Sequence, residues 1–133
     1  MSRKIFVNLP IKNLERTMQF FKALGFAFNP KFTDEKAACM VIGEDSFAML
    51  LTEPFFQSFT TRKICDTATH VEAVICISCE SRAEVDAMMG KVLGAGGTET
   101  GKTHDLPFMY GRGFEDLDHH HWEVMWMDPK AAQ

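Results

Sequence analysis

One pattern of strand, helix and three further strands runs through this chain twice, and that repetition limits the available folds more than any other feature. Residues 3–11, RKIFVNLPI, read as a strand, and Pro10 marks it as an edge strand or a strand end. Asn13 is a helix N-cap for LERTMQFFKALGF, in which Leu14, Met18, Phe21 and Leu24 fall on one face and Gly25 ends the helix. Strands over 27–33, 37–42 and 46–52 follow, broken by turn clusters at Asp34-Glu35 and Gly43-Glu44-Asp45. EPFFQSFTTRKICDTAT then reads as a short helix and a linker. The second round begins with a strand over 70–79. Ser81 caps a helix with Val85, Met88, Met89 and Val92 on its inner face, and Gly96-Gly97 closes it. Strands over 98–104, 109–115 and 120–126 complete the round before Asp128-Pro129. At one constant offset Leu14 falls on Val85, Met18 on Met89, Phe21 on Val92 and Gly25 on Gly96. The strands before the helices align at a slightly smaller offset, which implies a longer loop in the second half.

A unit of this kind covers one sheet face with its helix and leaves the other bare. The pattern therefore predicts an α+β fold of two βαβββ modules whose curved mixed sheets enclose a common cavity. The expected organisation is a single domain over 1–133, with module one at about 3–60 and module two at about 68–128.

With 46% apolar residues in 133, the chain can build a core without staples. No apolar run is long enough to span a membrane. The N-terminal residues enter a strand pattern rather than a signal-peptide core, so a cytoplasmic location is expected. A net charge of -4 with scattered Lys and Arg argues against nucleic acid and against an anionic membrane surface. A small-molecule ligand and a second subunit remain as partners. Cys76 and Cys79 form a CxxC, but VICISC alternates as a strand, which points the two thiols to opposite faces. With no second pair to complete a zinc site, all four cysteines are expected to be free thiols.

FVNLPIKNLERTMQFFKALGF, AACMVI, FAMLLTE, SRAEVDAMM with GAGG, and FEDLDHHHWEVMWMDP together resemble the vicinal oxygen chelate superfamily: glyoxalase I, bleomycin-resistance proteins, fosfomycin-resistance enzymes and extradiol dioxygenases. The likeness spans nearly the whole chain and is strongest to the lactoylglutathione-lyase-related branch. It implies paired βαβββ modules, usually in a homodimer. In metal-dependent members it implies a divalent ion held by His and Glu from the first and last strands of each module. That ion acts as a Lewis acid toward two vicinal oxygens of the substrate. Carried over position by position, the pattern falls on Asn8, Met49, Cys76 and Glu123, and Glu123 alone matches it. One divalent metal and none are both compatible with that set.

Glu123 lies in the apolar strand WEVMW. Alternation sets His121, Glu123 and Met125 on one face and Trp122, Val124 and Trp126 on the other. A carboxylate so placed needs a ligand, a partner, a proton or water. Glu123, as base or metal ligand, and His121 are the catalytic candidates. His119 stands where relatives carry a turn glycine, and His119 and His120 read as turn and rim residues. Asn8, Met49, Cys76 and Arg112 are the substrate-binding candidates; Arg112 suits an anion if it faces the pocket and is a solvated charge if it does not. Phe55, Phe56 and Phe59 are placed either to lid a pocket or contact, or to pack in the core. Two functions stay open. One is a lyase- or dioxygenase-like enzyme on a small carbonyl or vicinal-oxygen compound, though not a true glyoxalase I. The other is a metal-free protein that sequesters a small molecule.

Overall fold

The computed structural model describes residues 3–131 and divides into two compact units between Cys65 and Asp66. The first contains β1 (Ile5–Ile11), α1 (Leu14–Ala23), β2 (Ala27–Asn29), β3 (Ala37–Val41), β4 (Ser46–Thr52) and a short α2 (Glu53–Gln57). The second contains β5 (Val74–Cys79), α3 (Arg82–Gly94), β6 (Thr98–Leu106), β7 (Met109–Glu115) and β8 (His121–Met127). The sheet orders are β1-β4-β3-β2 and β5-β8-β7-β6, so the repeated pattern gives one topology twice. In both, the first strand pairs parallel with the last and the remaining pairs are antiparallel.

The helices begin where their caps dictate. The Asn13 side chain accepts from the Arg16 backbone N–H at 3.1 Å, and the Ser81 hydroxyl accepts from that of Glu84, also at 3.1 Å. Past their ends, Gly25 and Gly96 take φ of 103° and 101°, a region open to glycine at little cost. The first core gathers Leu9, Ile11, Phe20, Phe21, Leu24, Met40 and Leu50; the second gathers Val85, Met89, Val92, Phe114, Trp122 and Val124.

Several expectations need correction. The sheets are neither curved nor closed around a cavity. Each is an open four-stranded sheet: β1 pairs only with β4 and β2 only with β3, so no edge meets another, and closure takes more strands than four. The strand expected over 27–33 stops at Asn29, because the Asn29 side chain caps Lys31 N–H and Pro30 starts a 3-10 turn, Pro30–Phe32. The buried face of α1 is Thr17, Phe20, Phe21 and Leu24, and Leu14 and Met18 lie half-exposed beside it. No strand covers 70–73, and β8 starts at His121 because the His120 N–H is drawn to the Asp116 carboxylate instead. Among the described residues no helix is long and apolar enough to cross a membrane.

Candidate functional site

The register sets the four positions implied by the family resemblance in two cross-strand pairs. Asn8 on β1 lies opposite Met49 on β4, and Cys76 on β5 lies opposite Glu123 on β8. The carry-over from sequence thus lands on equivalent places in the two units. Its chemistry does not suit a divalent ion. Asn8 offers a neutral amide oxygen and Met49 a thioether. The Cys76 thiol is pushed up by partial desolvation against the sheet and then by the charge of Glu123, which opposes the thiolate a metal needs. Among the described residues no group of three or more His, Cys, Asp or Glu is arranged to hold a metal ion.

In the first unit Asn8 opens onto a cleft of about 380 Å³ lined by Leu51, Phe56, Phe59 and Thr60. Alternation from β1 and β4 supplies Asn8 and Leu51, while α2 and the turn after it supply the aromatic wall. The Phe55 and Phe59 rings meet edge to face at 5.1 Å, which braces that wall. Phe59 is 69% exposed despite that contact. The surface is apolar apart from one amide and one hydroxyl.

In the second unit the sheet has two chemically distinct faces. Trp122 and Val124 are buried on the face that α3 covers, and the stacked Phe114 and Trp122 rings lie 6.3 Å apart there. Arg112 is on this side too. It grips Glu99 with two nitrogens at 2.9 and 2.8 Å and Asp86 of α3 at 2.9 Å, while the Tyr110 hydroxyl donates to Asp86 at 2.6 Å. Those bonds hold the Asp86 and Glu99 carboxyls below their usual range. Arg112 thus ties β6, β7 and α3 together and is not brought to Glu123.

The other face carries His121, Glu123 and Met125, as alternation predicts. Glu123 and His121 line a cleft of about 240 Å³ with Thr100, Lys102, His104 and Gly113. The register aligns Cys76, Glu123, Gly113 and Thr100 in one row across the four strands. Gly113 is glycine for a spatial reason: a Cβ there would sit 3.0 Å from the Thr100 hydroxyl and 3.1 Å from its carbonyl oxygen. His121 faces Glu115, with Nε2 3.5 Å from its carboxylate, and His119 Nδ1 approaches the same oxygen at 3.5 Å.

The triple histidine therefore splits into three roles. His119 has φ 63°, in the left-handed region where relatives are expected to carry glycine. His120 is buried, and its Nδ1 pairs with Glu72. Beside it the buried Asp116 carboxylate accepts from the Trp122 indole N–H at 2.9 Å and from the backbone of Asp118 and His120. Burial pushes the Asp116 carboxyl up against those bonds. Sequence reading set His120 at the rim because the distant Glu72 gives no local signal. It also missed Lys102 and His104, for which Gly101 and the alternating Gly111 and Gly113 were the available cue. Cys76 is exposed beside Glu123, and Cys79 points to the other face with its thiol pushed up to about 11 by burial and by Glu84; neither is in a disulfide.

A family model described as bleomycin resistance protein-like N-terminal matches residues 3–43. No curated protein matches the chain. Among solved structures, a hypothetical protein of S. aureus, SA1046, is 30% identical over 95% of both chains, with a TM-score of 0.79. A glyoxalase/bleomycin resistance protein/dioxygenase family enzyme from Burkholderia phytofirmans PsJN is 11% identical, with a TM-score of 0.78 over 95% of this chain and 99% of that one. TnmS3, an antibiotic binding protein from Streptomyces sp. CB03234, is 15% identical, with a TM-score of 0.68 over 96% and 98%. At such identities the last two speak to fold alone. The doubled βαβββ topology is thus a fold shared with solved structures described as glyoxalase/bleomycin resistance protein/dioxygenase family members, and with a relative of 30% identity.

Proposed function

We propose that this protein binds and sequesters a small, largely apolar molecule without a metal, in the cleft beneath Phe56 and Phe59. The observation that carries this reading is the cleft itself. It is of ligand size, its walls are Leu51 and two phenylalanines, and Asn8 and Thr60 supply two oriented polar groups. A planar or aromatic compound with one hydrogen-bonding group fits that surface. The match to a bleomycin resistance protein-like model over 3–43, which includes Asn8, supports the same reading. The test is calorimetric titration with the fluorescent apolar probe 8-anilino-1-naphthalenesulfonate and with metal-free bleomycin. Saturable one-to-one binding of either, weakened about tenfold or more by Phe56→Ala, is expected. Failure of both to bind, or indifference to that substitution, would remove the reading.

A second reading is kept for one observation, that Glu123 and His121 share an open cleft. In it, Glu123 takes a proton from a small carbonyl or vicinal-oxygen substrate, His121 hydrogen-bonds the developing negative oxygen, and Cys76 borders the same row. Loss of turnover in Glu123→Gln with retained folding would support it. Within the lactoylglutathione-lyase-related branch, little or no turnover of the methylglyoxal–glutathione adduct is expected, because Asn8, Met49 and Cys76 stand where that chemistry uses metal ligands.

A further inference from the structure

The cleft on the open face of the second unit, where the second reading above places Glu123 and His121, also joins three features that bear on what it can bind. The first is an irregularity in β6. Thr100 pairs with Gly113 and His104 with Gly111, so Gly101, Lys102 and Thr103 stand against Arg112 alone. Gly101 takes φ 67° to start this bulge. Bulges re-aim side chains, and this one sets Lys102 into the cleft wall between Thr100 and His104. The second feature is the floor. Between the β6 wall and Glu123 on β8 lies β7, whose Gly111 and Gly113 turn to this face between Met109 and Glu115, the latter held by His121. The third is the state of the charges. Among the described residues, the side chains of Lys102 and Glu123 have no hydrogen-bond or ion-pair partner. They stand two strand spacings apart, about 10 Å between backbones, with β7 between them.

We propose that this cleft is a binding site for a small zwitterion of the α-amino-acid class, with its ammonium group on Glu123 and its carboxylate on Lys102. Opposite charges on the two walls select against ligands of single charge. A simple anion meets the Glu123 carboxylate, and a simple cation meets Lys102. A molecule carrying both charges satisfies both walls at once. The Thr100 hydroxyl and His104 stand beside Lys102 to take further carboxylate hydrogen bonds. At about 240 Å³ the cleft lies below the range of about 300–1,000 Å³ common for drug-sized ligands, which favours a molecule of amino-acid size. A Cβ at Gly113 would come within 3.0 Å of the Thr100 hydroxyl, so glycine there leaves that hydroxyl its place in the cleft wall. No covalent step is involved, and the inference stands on the second unit alone, independently of the apolar cleft in the first.

The experiment is amide-resolved NMR titration of the full chain with glycine and L-alanine, and with propionate and propylammonium as controls of single charge. Both amino acids are expected to shift the Gly111 and Gly113 amide signals with a dissociation constant at or below about 1 mM, and each control to bind at least about tenfold more weakly. Lys102→Met and Glu123→Gln are each expected to weaken the amino acids about tenfold or more, while Lys102→Arg retains binding. A dispersed spectrum verifies that each variant folds. Absence of shifts with either amino acid would overturn the proposal, as would equal responses to amino acids and controls, or shifts unchanged in both charge-removing variants.

Discussion

Two residues in the second unit show how one backbone angle or one missing atom constrains sequence. His119 occupies the left-handed region at φ 63°, where a Cβ clashes with the chain, and it is held there by its place in the turn between β7 and β8. Glycine removes that strain but adds freedom to the unfolded chain. His119→Gly is expected to raise stability by up to about 1 kcal/mol, read as a higher urea midpoint at unchanged slope. Gly113 is the converse. A Cβ there meets backbone and hydroxyl of Thr100 together, and Gly113→Ala is expected to cost about 1–3 kcal/mol in the same measurement. The place of His119 was legible through the family resemblance, which implies a turn glycine at that position. That of His120 was not, since its partner Glu72 lies beyond one helix and three strands in chain order. Arg112 shows the same limit: the sequence posed its two orientations, and only the side-chain bonds to Glu99 and Asp86 decide between them.

At the scale of elements, local chemistry was the reliable guide. Asn13 and Ser81 cap as expected, and β4 and β7 occupy their anticipated ranges, because capping residues and turn clusters act over a few positions. Helix facing was harder. Thr17 and Phe20 were bypassed by a face drawn through Leu14 and Met18, since a helix with apolar residues on several sides leaves its rotation to tertiary packing. Removing either cap by substitution to Ala is expected to cost about 1 kcal/mol in thermal unfolding. The link from α3 to the sheet also has a pH signature. Hydrogen bonds from Tyr110 and Arg112 depress Asp86, and the bond from Arg112 depresses Glu99. A depressed carboxyl stabilises the fold above its unfolded value and loses that contribution as pH falls through its folded value. Stability should therefore decline below about pH 4, and Arg112→Met should show less of that acid-dependent decline. Both carboxylates are substantially solvated, so the difference is modest; comparing urea midpoints at neutral and acid pH measures it.

For the whole molecule, doubling of the topology was legible and the shape of the sheets was not. Apolar periodicity reports which faces are covered and in what order elements arrive. Curvature depends on twist and on pairing of the outermost strands, neither of which leaves a periodic trace in sequence. The same sheet order predicts a graded protection pattern. β4 and β8 are flanked on both sides, whereas β2 and β6 are edges. Amides of Leu50 and Val124 should exchange with solvent far more slowly than those of Phe28 and Thr98, as hydrogen-exchange NMR would resolve.

Joining the first strand of each unit to its last has a consequence for how the chain acquires its structure. Ile5 waits for Ser46, and Val74 waits for His121. During synthesis, β1 therefore emerges with its only sheet neighbour still untranslated, and the same delay recurs for β5. Each unit must close a long loop before its most nonlocal ladder forms, so folding should proceed with the slowness typical of high contact order. A nascent chain halted before β4 would leave β1 without its ladder, a natural point for chaperone engagement.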